Sequence, residues 1–298
     1  MEAASEVSPD RPTAGWRLIL AFLRLLPQRW MSRGFGRVAD FPIAKPFRRT
    51  LLSTFARAVG INLSEVELPL EDYPTLNAFF VRQLRPGARE WPASQDALAS
   101  PVDGVVGRFG VIRDGVAIQA KGHEYPVADL LGDAGEAERY RNGLFLTIYL
   151  SPRHYHRIHT PAPGAVPAAA YLPGTLLPVN APAVMHIPGL FVRNERLVCY
   201  LDTPRGRIAV VAVGAYNVGR ISAAFDPEWS GGSVTNRSRP PEPRRRYQPP
   251  VPVAAGREIM AFHLGSTVVL LFEPGVRLRE GLTSGLEVKV GEQIAITG

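Results

Sequence analysis

Cysteine is almost absent from this chain, since Cys199 is the single one among 298 residues. One cysteine excludes an intrachain disulfide and is typical of a protein from a reducing compartment. A membrane-spanning helix needs about 20 consecutive apolar residues, and no such run is present. The nearest approach, over residues 16–26, is interrupted by Arg17 and Arg24 and ended by Pro27. Acidic residues precede this block and no small-residue cleavage pattern follows it, which argues against a signal peptide.

Nucleotide-binding motifs are also missing, because the sequence contains neither GxxxxGK[ST] nor GxGxxG. The composition, with 46% apolar and 20% charged residues, is that of a folded globular protein. A net charge of +7 indicates an anionic partner. Arginine and lysine alternate with large apolar residues over residues 15–60, so we expect an anionic membrane surface as the partner, and no nucleic acid.

An amphipathic basic helix is predicted over residues 45–60. Its apolar positions recur at helical spacing, at Phe47, Leu51, Leu52, Phe55 and Val59, with basic residues on the other positions. Two interpretations remain open at this point. The helix either covers the protein's own core or lies in the membrane interface, held by its apolar face and by anionic lipid.

The expected fold class is α+β. An N-terminal amphipathic helical layer, residues 1–95, includes a short helix within residues 73–90 that begins at Pro74 or Thr75 and stops at Pro86-Gly87. Short β-branched segments punctuated by glycine and proline then predict a predominantly antiparallel β catalytic domain, residues 96–298. Within it, residues 226–257 are so rich in proline and arginine that we expect a surface loop, with no regular structure throughout.

Histidines are few and crowded, since three of the six lie in "SPRHYHRIHTPAPG", at positions 154, 156 and 159. Such a cluster could supply three metal ligands. The neighbouring Arg153 and Arg157, and the lack of HExxH, favour an anion-binding loop instead. A metal-dependent hydrolase that uses His154, His156 and His159 nevertheless stays open as an alternative function.

A Gly-Ser pair opens the apolar run "FHLGSTVVLLF", at Gly265 and Ser266. With Asp103 and His159, Ser266 could form a serine triad, although it does not lie in a GxSxG motif. Glycine before serine also suits attack of the hydroxyl on its own chain, because glycine exposes the preceding carbonyl. A plain turn into a strand is the third interpretation, and these residues alone do not exclude it.

Several longer motifs resemble one enzyme family. "LNAFFVRQLRPGARE", "SPVDG", "QAKGHEYPVADLL", "YLSPRHYHRIHTPAPG", "LPGTLLPVN" and "FHLGSTVVLLFEPG" follow one another in this order. In this order they are similar to the membrane-associated phosphatidylserine decarboxylases of bacterial type, from about residue 65 to the end. The resemblance implies a self-cleaving proenzyme that depends on a pyruvoyl group.

The resemblance also implies roles for individual residues. Ser266 matches the serine that becomes the pyruvoyl cofactor, with cleavage after Gly265 into a β chain, residues 1–265, and an α chain, residues 266–298. His159 matches the base toward Ser266, and Asp103 the group that orients this base. His156 matches the histidine of the decarboxylation step, as proton donor.

The implied reaction converts phosphatidylserine to phosphatidylethanolamine and carbon dioxide. The pyruvoyl carbonyl would form a Schiff base with the substrate amine and take up the electrons released with carbon dioxide. Substrate-binding candidates are His123 in "KGHEY" and the cations Arg153 and Arg157. The family commonly has an acidic residue at the position of His154, so no role is carried over to that histidine.

The expected location is the cell membrane, peripherally on the cytoplasmic side, where the substrate lies in an anionic bilayer. The two chains would form a heterodimer, and the resemblance implies a dimer of these protomers. A non-enzymatic membrane-binding module is a further alternative, in which only the N-terminal helices would matter and Ser266→Ala would leave the activity intact.

Overall fold

A computed structural model describes residues 34, 36–120, 122–215, 220–230, 243–263 and 266–298. The apolar block expected at residues 16–26 and the residue before the expected cleavage point, Gly265, lie outside these residues.

The described N-terminal part is helical, as expected. Helix α1, Lys45–Val59, ends at Gly60, whose φ of 82° is the left-handed conformation that glycine tolerates best. It buries Leu52 and Ala56 in a small apolar cluster together with Phe79 and its neighbours from residues 43–79. The helix predicted over residues 45–60 is therefore confirmed.

Helix α2, Leu76–Phe80, begins where the sequence predicts, because the Thr75 side chain accepts a hydrogen bond from Ala78 N. It ends earlier than Pro86-Gly87, since the chain after Val81 turns to pair Leu84 with Val66 in an isolated bridge. Two short 3-10 turns, Leu63–Glu65 and Leu70–Asp72, connect the two helices.

Strands dominate the remainder of the described chain. They are β1 Ala97–Ala99, β2 Gly104–Val111, β3 Val116–Ala120, β4 His123–Pro126, β5 Leu144–Leu150, β6 Arg157–His159, β7 Gly164–Leu172, β8 Arg196–Thr203, β9 Gly206–Val213, β10 Ile221–Ala223, β11 Arg244–Val253, β12 Glu258–Phe262, β13 Ser266–Phe272, β14 Val276–Leu278, β15 Glu287–Val288 and β16 Gln293–Thr297. Five short helices lie between them: α3 Val127–Leu131, α4 Ala134–Ala137, α5 Ala181–His186, α6 Leu190–Arg193 and α7 Pro227–Ser230.

The largest sheet has eight strands in the order β11-β7-β8-β9-β13-β5-β2-β15, with antiparallel neighbours. Smaller sheets join β1-β16-β14, β10-β12-β6 and β3-β4. The α+β class with mostly antiparallel strands is thus confirmed. None of the helices in the described ranges is long and apolar enough to span a bilayer.

Strand β13 lies inside the large sheet, between β5 and β9, and all seven of its residues are buried. Its side chains alternate between two apolar clusters, with Val268 and Leu270 in one and Val269 and Leu271 in the other. A strand covered on both faces reads as a continuous apolar run, which explains "VVLLF" after the Gly-Ser pair.

The proline- and arginine-rich segment, residues 226–257, differs from the expected loop. Its described residues include helix α7 and strand β11, which pairs with β7 at the edge of the large sheet. An edge strand tolerates prolines because one side needs no backbone donor, and the pairing is irregular between Arg246 and Val251. Arg244 pairs with Asp133, and Arg245 with Asp226, so neither is a free surface charge.

Candidate functional site

Ser266 is the first residue of β13 and is paired with Leu150, the last residue of β5. Its side chain is fully buried, with 0% exposure. Ser266 Oγ has no hydrogen-bond partner among the described residues. A buried hydroxyl without a partner costs free energy, so its presence at the predicted cleavage point calls for a functional reason.

The histidine loop, residues 151–156, begins directly after Leu150. His156 is fully buried, and its Nδ1 lies 2.8 Å from the carbonyl oxygen of His154. A carbonyl can only accept, so Nδ1 carries the proton and Nε2 holds a lone pair. His156 Nε2 is buried without a hydrogen-bond partner in the described part of the chain.

Burial also sets the charge of His156. Loss of water lowers the pKa of this ring to about 3, with a smaller contribution from the positive charge of Arg82. The ring of Phe80 lies 4.2 Å from it, centroid to centroid, and covers it. His156 is therefore a neutral imidazole at physiological pH, arranged to accept a proton at Nε2.

Ser266 and His156 lie at the same corner of the fold. Leu150 is the strand partner of Ser266 and the residue before the histidine loop. On the other side, Phe262 N donates to the carbonyl oxygen of His156, and Phe262 stands four residues before Ser266. The structure thus places two buried polar atoms, Ser266 Oγ and His156 Nε2, neither with a partner in the described ranges, on chain segments that are joined by hydrogen bonds.

His159 lies on β6 and faces a different space. Its Nδ1 is 2.8 Å from the carbonyl oxygen of Gly256, so Nε2 accepts a hydrogen bond from the Tyr155 hydroxyl at 3.1 Å. Burial lowers the pKa of the ring. Its side chain lines a cavity of about 470 Å³, together with Trp91 and Arg89. His159 therefore carries its proton on Nδ1 and a lone pair on Nε2, as a base requires, but this lone pair already accepts a hydrogen bond from the Tyr155 hydroxyl.

Asp103 is close to His159 but not bonded to it. The backbone N–H of His159 donates to the carbonyl oxygen of Pro101, two residues before Asp103. The Asp103 carboxylate accepts hydrogen bonds from Arg89 and, at 2.8 Å, from Val290 N. Of the expected triad, the structure therefore brings Asp103 and His159 to adjacent segments without a hydrogen bond between them, and their roles stay predictions.

The remaining predicted residues have less direct placements. Arg153 pairs with Glu287, and Arg157 pairs with Glu258 at 2.6 Å, so each guanidinium already has a carboxylate partner. His123 opens β4 opposite Ala120, which lines the apolar cavity described below. Their proposed contacts with substrate stay untested predictions.

His154 is held locally, since Ser151 N donates to its Nδ1 at 2.9 Å. Burial, followed by the charge of Arg153, lowers the pKa of His154 to about 4. The described histidine, cysteine and acidic side chains form no group of three or more that could hold a metal ion. The alternative of a metal-dependent hydrolase is therefore not favoured.

An apolar cavity of about 480 Å³ lies beside the start of β13. Strands β2, β5 and β13 form one wall, and β3 with α5 forms the other, with Val105, Val184 and Met185 among the lining residues. Thr147 and Thr267 also line it, and their Oγ1 atoms are buried without a partner among the described residues. This volume is in the range of ligand cavities, about 300–1,000 Å³.

Three residues that hold the site together are not predicted from the sequence. Arg89 binds the Asp103 carboxylate, Tyr155 binds the His159 ring, and Arg82 donates to the carbonyl oxygen of His154 at 3.2 Å. Arg82 and Arg89 lie in the motif "FFVRQLRPGARE", but arginine in a short motif shows no spacing that predicts a buried partner.

Comparison with known proteins shows the family. The sequence model of the phosphatidylserine decarboxylase family matches residues 76–296. The phosphatidylserine decarboxylase proenzyme of Anaeromyxobacter sp. (strain K) is 46% identical over 279 residues, which cover 93% of this chain and 98% of that protein. The proenzyme of Myxococcus xanthus (strain DK1622) is 41% identical over 278 residues, 93% of this chain and 97% of that protein. The chain belongs to the phosphatidylserine decarboxylase family.

Proposed function

We propose that this chain is a proenzyme that cuts itself between Gly265 and Ser266 and then decarboxylates phosphatidylserine to phosphatidylethanolamine and carbon dioxide. Family membership supports the reaction class. The observation that carries the proposal is the fully buried Ser266 Oγ, without a hydrogen-bond partner in the described chain, at the predicted cleavage point.

In the cleavage step, Ser266 Oγ loses its proton and attacks the carbonyl carbon of residue 265. The peptide C–N bond breaks and the acyl group moves to the oxygen as an ester. Removal of the Cα proton of residue 266 then expels the carboxylate of residue 265, which cuts the chain. The dehydroalanine that remains takes up water and releases ammonia, and this leaves a pyruvoyl group at the new N-terminus.

His159 is the proposed base for this step. Its Nε2 has the lone pair, and its Nδ1 is fixed by the carbonyl oxygen of Gly256, so the ring is already oriented. The Tyr155 hydroxyl must leave Nε2 before the ring can take the proton of Ser266. Asp103 contributes a negative charge near His159, which favours the protonated ring that results.

Residue 266 suits the pyruvoyl group, because it is buried at the head of a strand that is fixed on both sides. The group supplies a carbonyl that binds the substrate amine and draws off the electrons left by carbon dioxide. His156 Nε2 accepts the proton that the substrate ammonium must lose, and it returns this proton to the substrate carbon after decarboxylation. The negative charge of the bound substrate favours protonation of His156 during this interval.

The apolar cavity is the proposed site for the lipid part of the substrate. Thr267, the neighbour of residue 266 in β13, lines this cavity, so a lipid held there lies beside the strand that carries the reacting position. The hydroxyls of Thr147 and Thr267, which have no partner among the described residues, can donate to ester or phosphate oxygens.

Attachment to the membrane is proposed through the N-terminal helical part. Exposed apolar side chains concentrate there: Val38 is 71% exposed, Phe41 72%, Phe47 66% and Leu51 45%. The basic residues of α1 lie beside them, and both features fit a peripheral helix on an anionic, cytoplasmic membrane face. We propose that the two chains stay together there as a heterodimer.

Intact mass under denaturing conditions tests the proposal. The wild type should give two fragments split between residues 265 and 266, the smaller with a ketone-containing blocked N-terminus, and Ser266→Ala should give one uncut mass. His159→Ala should stay uncut, whereas His156→Ala should be cut but decarboxylate poorly. His186→Ala is the control that should be cut and active, because this side chain is not among those that line the apolar cavity.

Two results would overturn these statements. An uncut wild-type chain with full decarboxylase activity would refute self-cleavage as the source of the catalytic group. The reverse behaviour of His156→Ala and His159→Ala would refute the division of roles between the two histidines.

A further inference from the structure

Arg89 connects the helical part of the protein to the proposed self-cleavage site. Its side chain is only 7% exposed. Arg89 Nε donates to Asp103 Oδ1 at 3.1 Å, and Nη2 donates to Asp103 Oδ2 as well as to Glu65 Oε2, the latter at 2.9 Å. One guanidinium therefore binds both oxygens of Asp103 and one oxygen of Glu65.

Further partners fix both carboxylates. Lys289 Nζ lies 3.2 Å from Glu65 Oε1, and Val290 N donates to Asp103 Oδ1 at 2.8 Å. The Asp103 side chain is only 11% exposed, so water cannot replace these partners easily. Without Arg89, this carboxylate would be buried with one backbone donor.

We propose that Arg89 is a positioning residue for self-cleavage, which acts by holding the Asp103 carboxylate in one orientation beside His159. A planar guanidinium binds a carboxylate through two parallel hydrogen bonds and fixes its rotation, which a single lysine charge cannot do. Glu65 in turn fixes the guanidinium. This inference rests on the proposed self-cleavage and assigns a function to a contact between the helical part and the β part.

Arg207 offers a matched control within the same chain. It also binds two carboxylates, Asp202 and Glu136, and its side chain is 15% exposed. It is not among the residues that line the cavity of His159. Substitution of Arg207 breaks a similar pair of ion pairs without touching Asp103.

The experiment follows the conversion of freshly synthesised full-length chain into two fragments over time, by denaturing electrophoresis and mass. Arg89→Ala should slow conversion by at least tenfold, and added guanidinium ion at millimolar concentration should restore part of the rate. Arg89→Lys should be slower than the wild type and faster than Arg89→Ala. Arg207→Ala should convert at the wild-type rate, with no effect of guanidinium.

The outcomes distinguish failure of the role proposed for Arg89 from failure of the proposed self-cleavage. Conversion of Arg89→Ala or Arg89→Lys as fast as that of Arg207→Ala would overturn the role of Arg89 and leave self-cleavage standing. An uncut wild type would overturn self-cleavage itself. If Arg89→Ala fails to fold by circular dichroism, Arg89→Lys and its rate relative to the wild type decide the question.

Discussion

His263, three residues before Ser266, should make the folded protein sensitive to acid. Its Nδ1 lies 3.2 Å from Asn77 Oδ1 and its Nε2 lies 3.2 Å from Ser222 Oγ. Asn77 Nδ2 donates to Asp40 Oδ1, which fixes the amide so that its oxygen faces the ring. Burial and, to a smaller extent, the positive charge of Arg220 lower the pKa of His263 to about 4.

The sign of the effect follows from the two states. The unfolded chain binds a proton at His263 with a pKa of about 6.5, whereas the folded chain does so only near 4. Stability is therefore fully present above the unfolded pKa and is lost as the pH falls from about 6.5 toward 4. Between pH 7 and pH 5 the loss from this single ring is about 2 kcal/mol, at about 1.4 kcal/mol per pH unit below 6.5.

Urea unfolding followed by tryptophan fluorescence measures this quantity. The Ser266→Ala background should keep the chain in one piece, so that unfolding would not depend on protein concentration. Adding His263→Gln should reduce the difference in unfolding free energy between pH 7 and pH 5 by about 2 kcal/mol. Ser222→Ala, which removes a partner but leaves the ring, should keep the full difference. An unchanged pH dependence in His263→Gln would refute the reasoning.

Three further predictions concern the cavity, the membrane surface and the sheet. Thr267→Val should still be cut but should raise KM for phosphatidylserine about fivefold, as loss of one hydrogen bond of about 1 kcal/mol implies, and an unchanged KM would exclude this contact. The double variant Phe47→Ser/Leu51→Ser should reduce sedimentation with phosphatidylglycerol-containing vesicles at least tenfold, whereas Ala58→Ser on the same helix should not; equal binding would place the contact elsewhere. Gly104→Ala should lower the unfolding free energy by about 1–3 kcal/mol, because its Cβ would lie 2.6 Å from Ile148 Cγ2 and 2.7 Å from the Tyr149 carbonyl oxygen. Gly107→Ala, whose nearest contact is 3.4 Å, is the control, and equal losses in the two variants would show that the close approach is not the cause.

The sequence predicts the elements whose pattern is local. Helix α1 follows from the spacing of Phe47, Leu51 and Phe55, and β13 follows from an unbroken apolar run. The sequence does not predict strand β11, because proline disfavours strands in general. Pro249 and Pro250 are tolerated because β11 lies at the edge of the sheet. Edge position depends on the whole sheet order and is not encoded in the segment itself.

The residues of the candidate site are predicted from the sequence, but most of their hydrogen-bond partners are not. Motif resemblance selects Asp103, His156, His159 and Ser266, but their hydrogen bonds depend on residues distant in the chain. Arg89 lies 14 positions from Asp103, and the carbonyl of Gly256 lies 97 positions from His159. The buried partners that set ring orientation and charge therefore required the fold.

The location of β13 between β5 and β9 has a consequence for the life of the mature enzyme. After cleavage, the α chain would still supply β13, an inner strand of the large sheet, as well as β15 and β16, which pair with β2 and β1. Backbone hydrogen bonds on both sides of β13 would keep the two fragments assembled, so they would separate only when the protein is denatured. Refolding then becomes a second-order reaction between two polypeptides, so its yield should fall on dilution, whereas the uncut Ser266→Ala chain should refold at any dilution. Each chain would thus have to fold before it is cut, because loss of the peptide bond would prevent the mature enzyme from refolding as one chain.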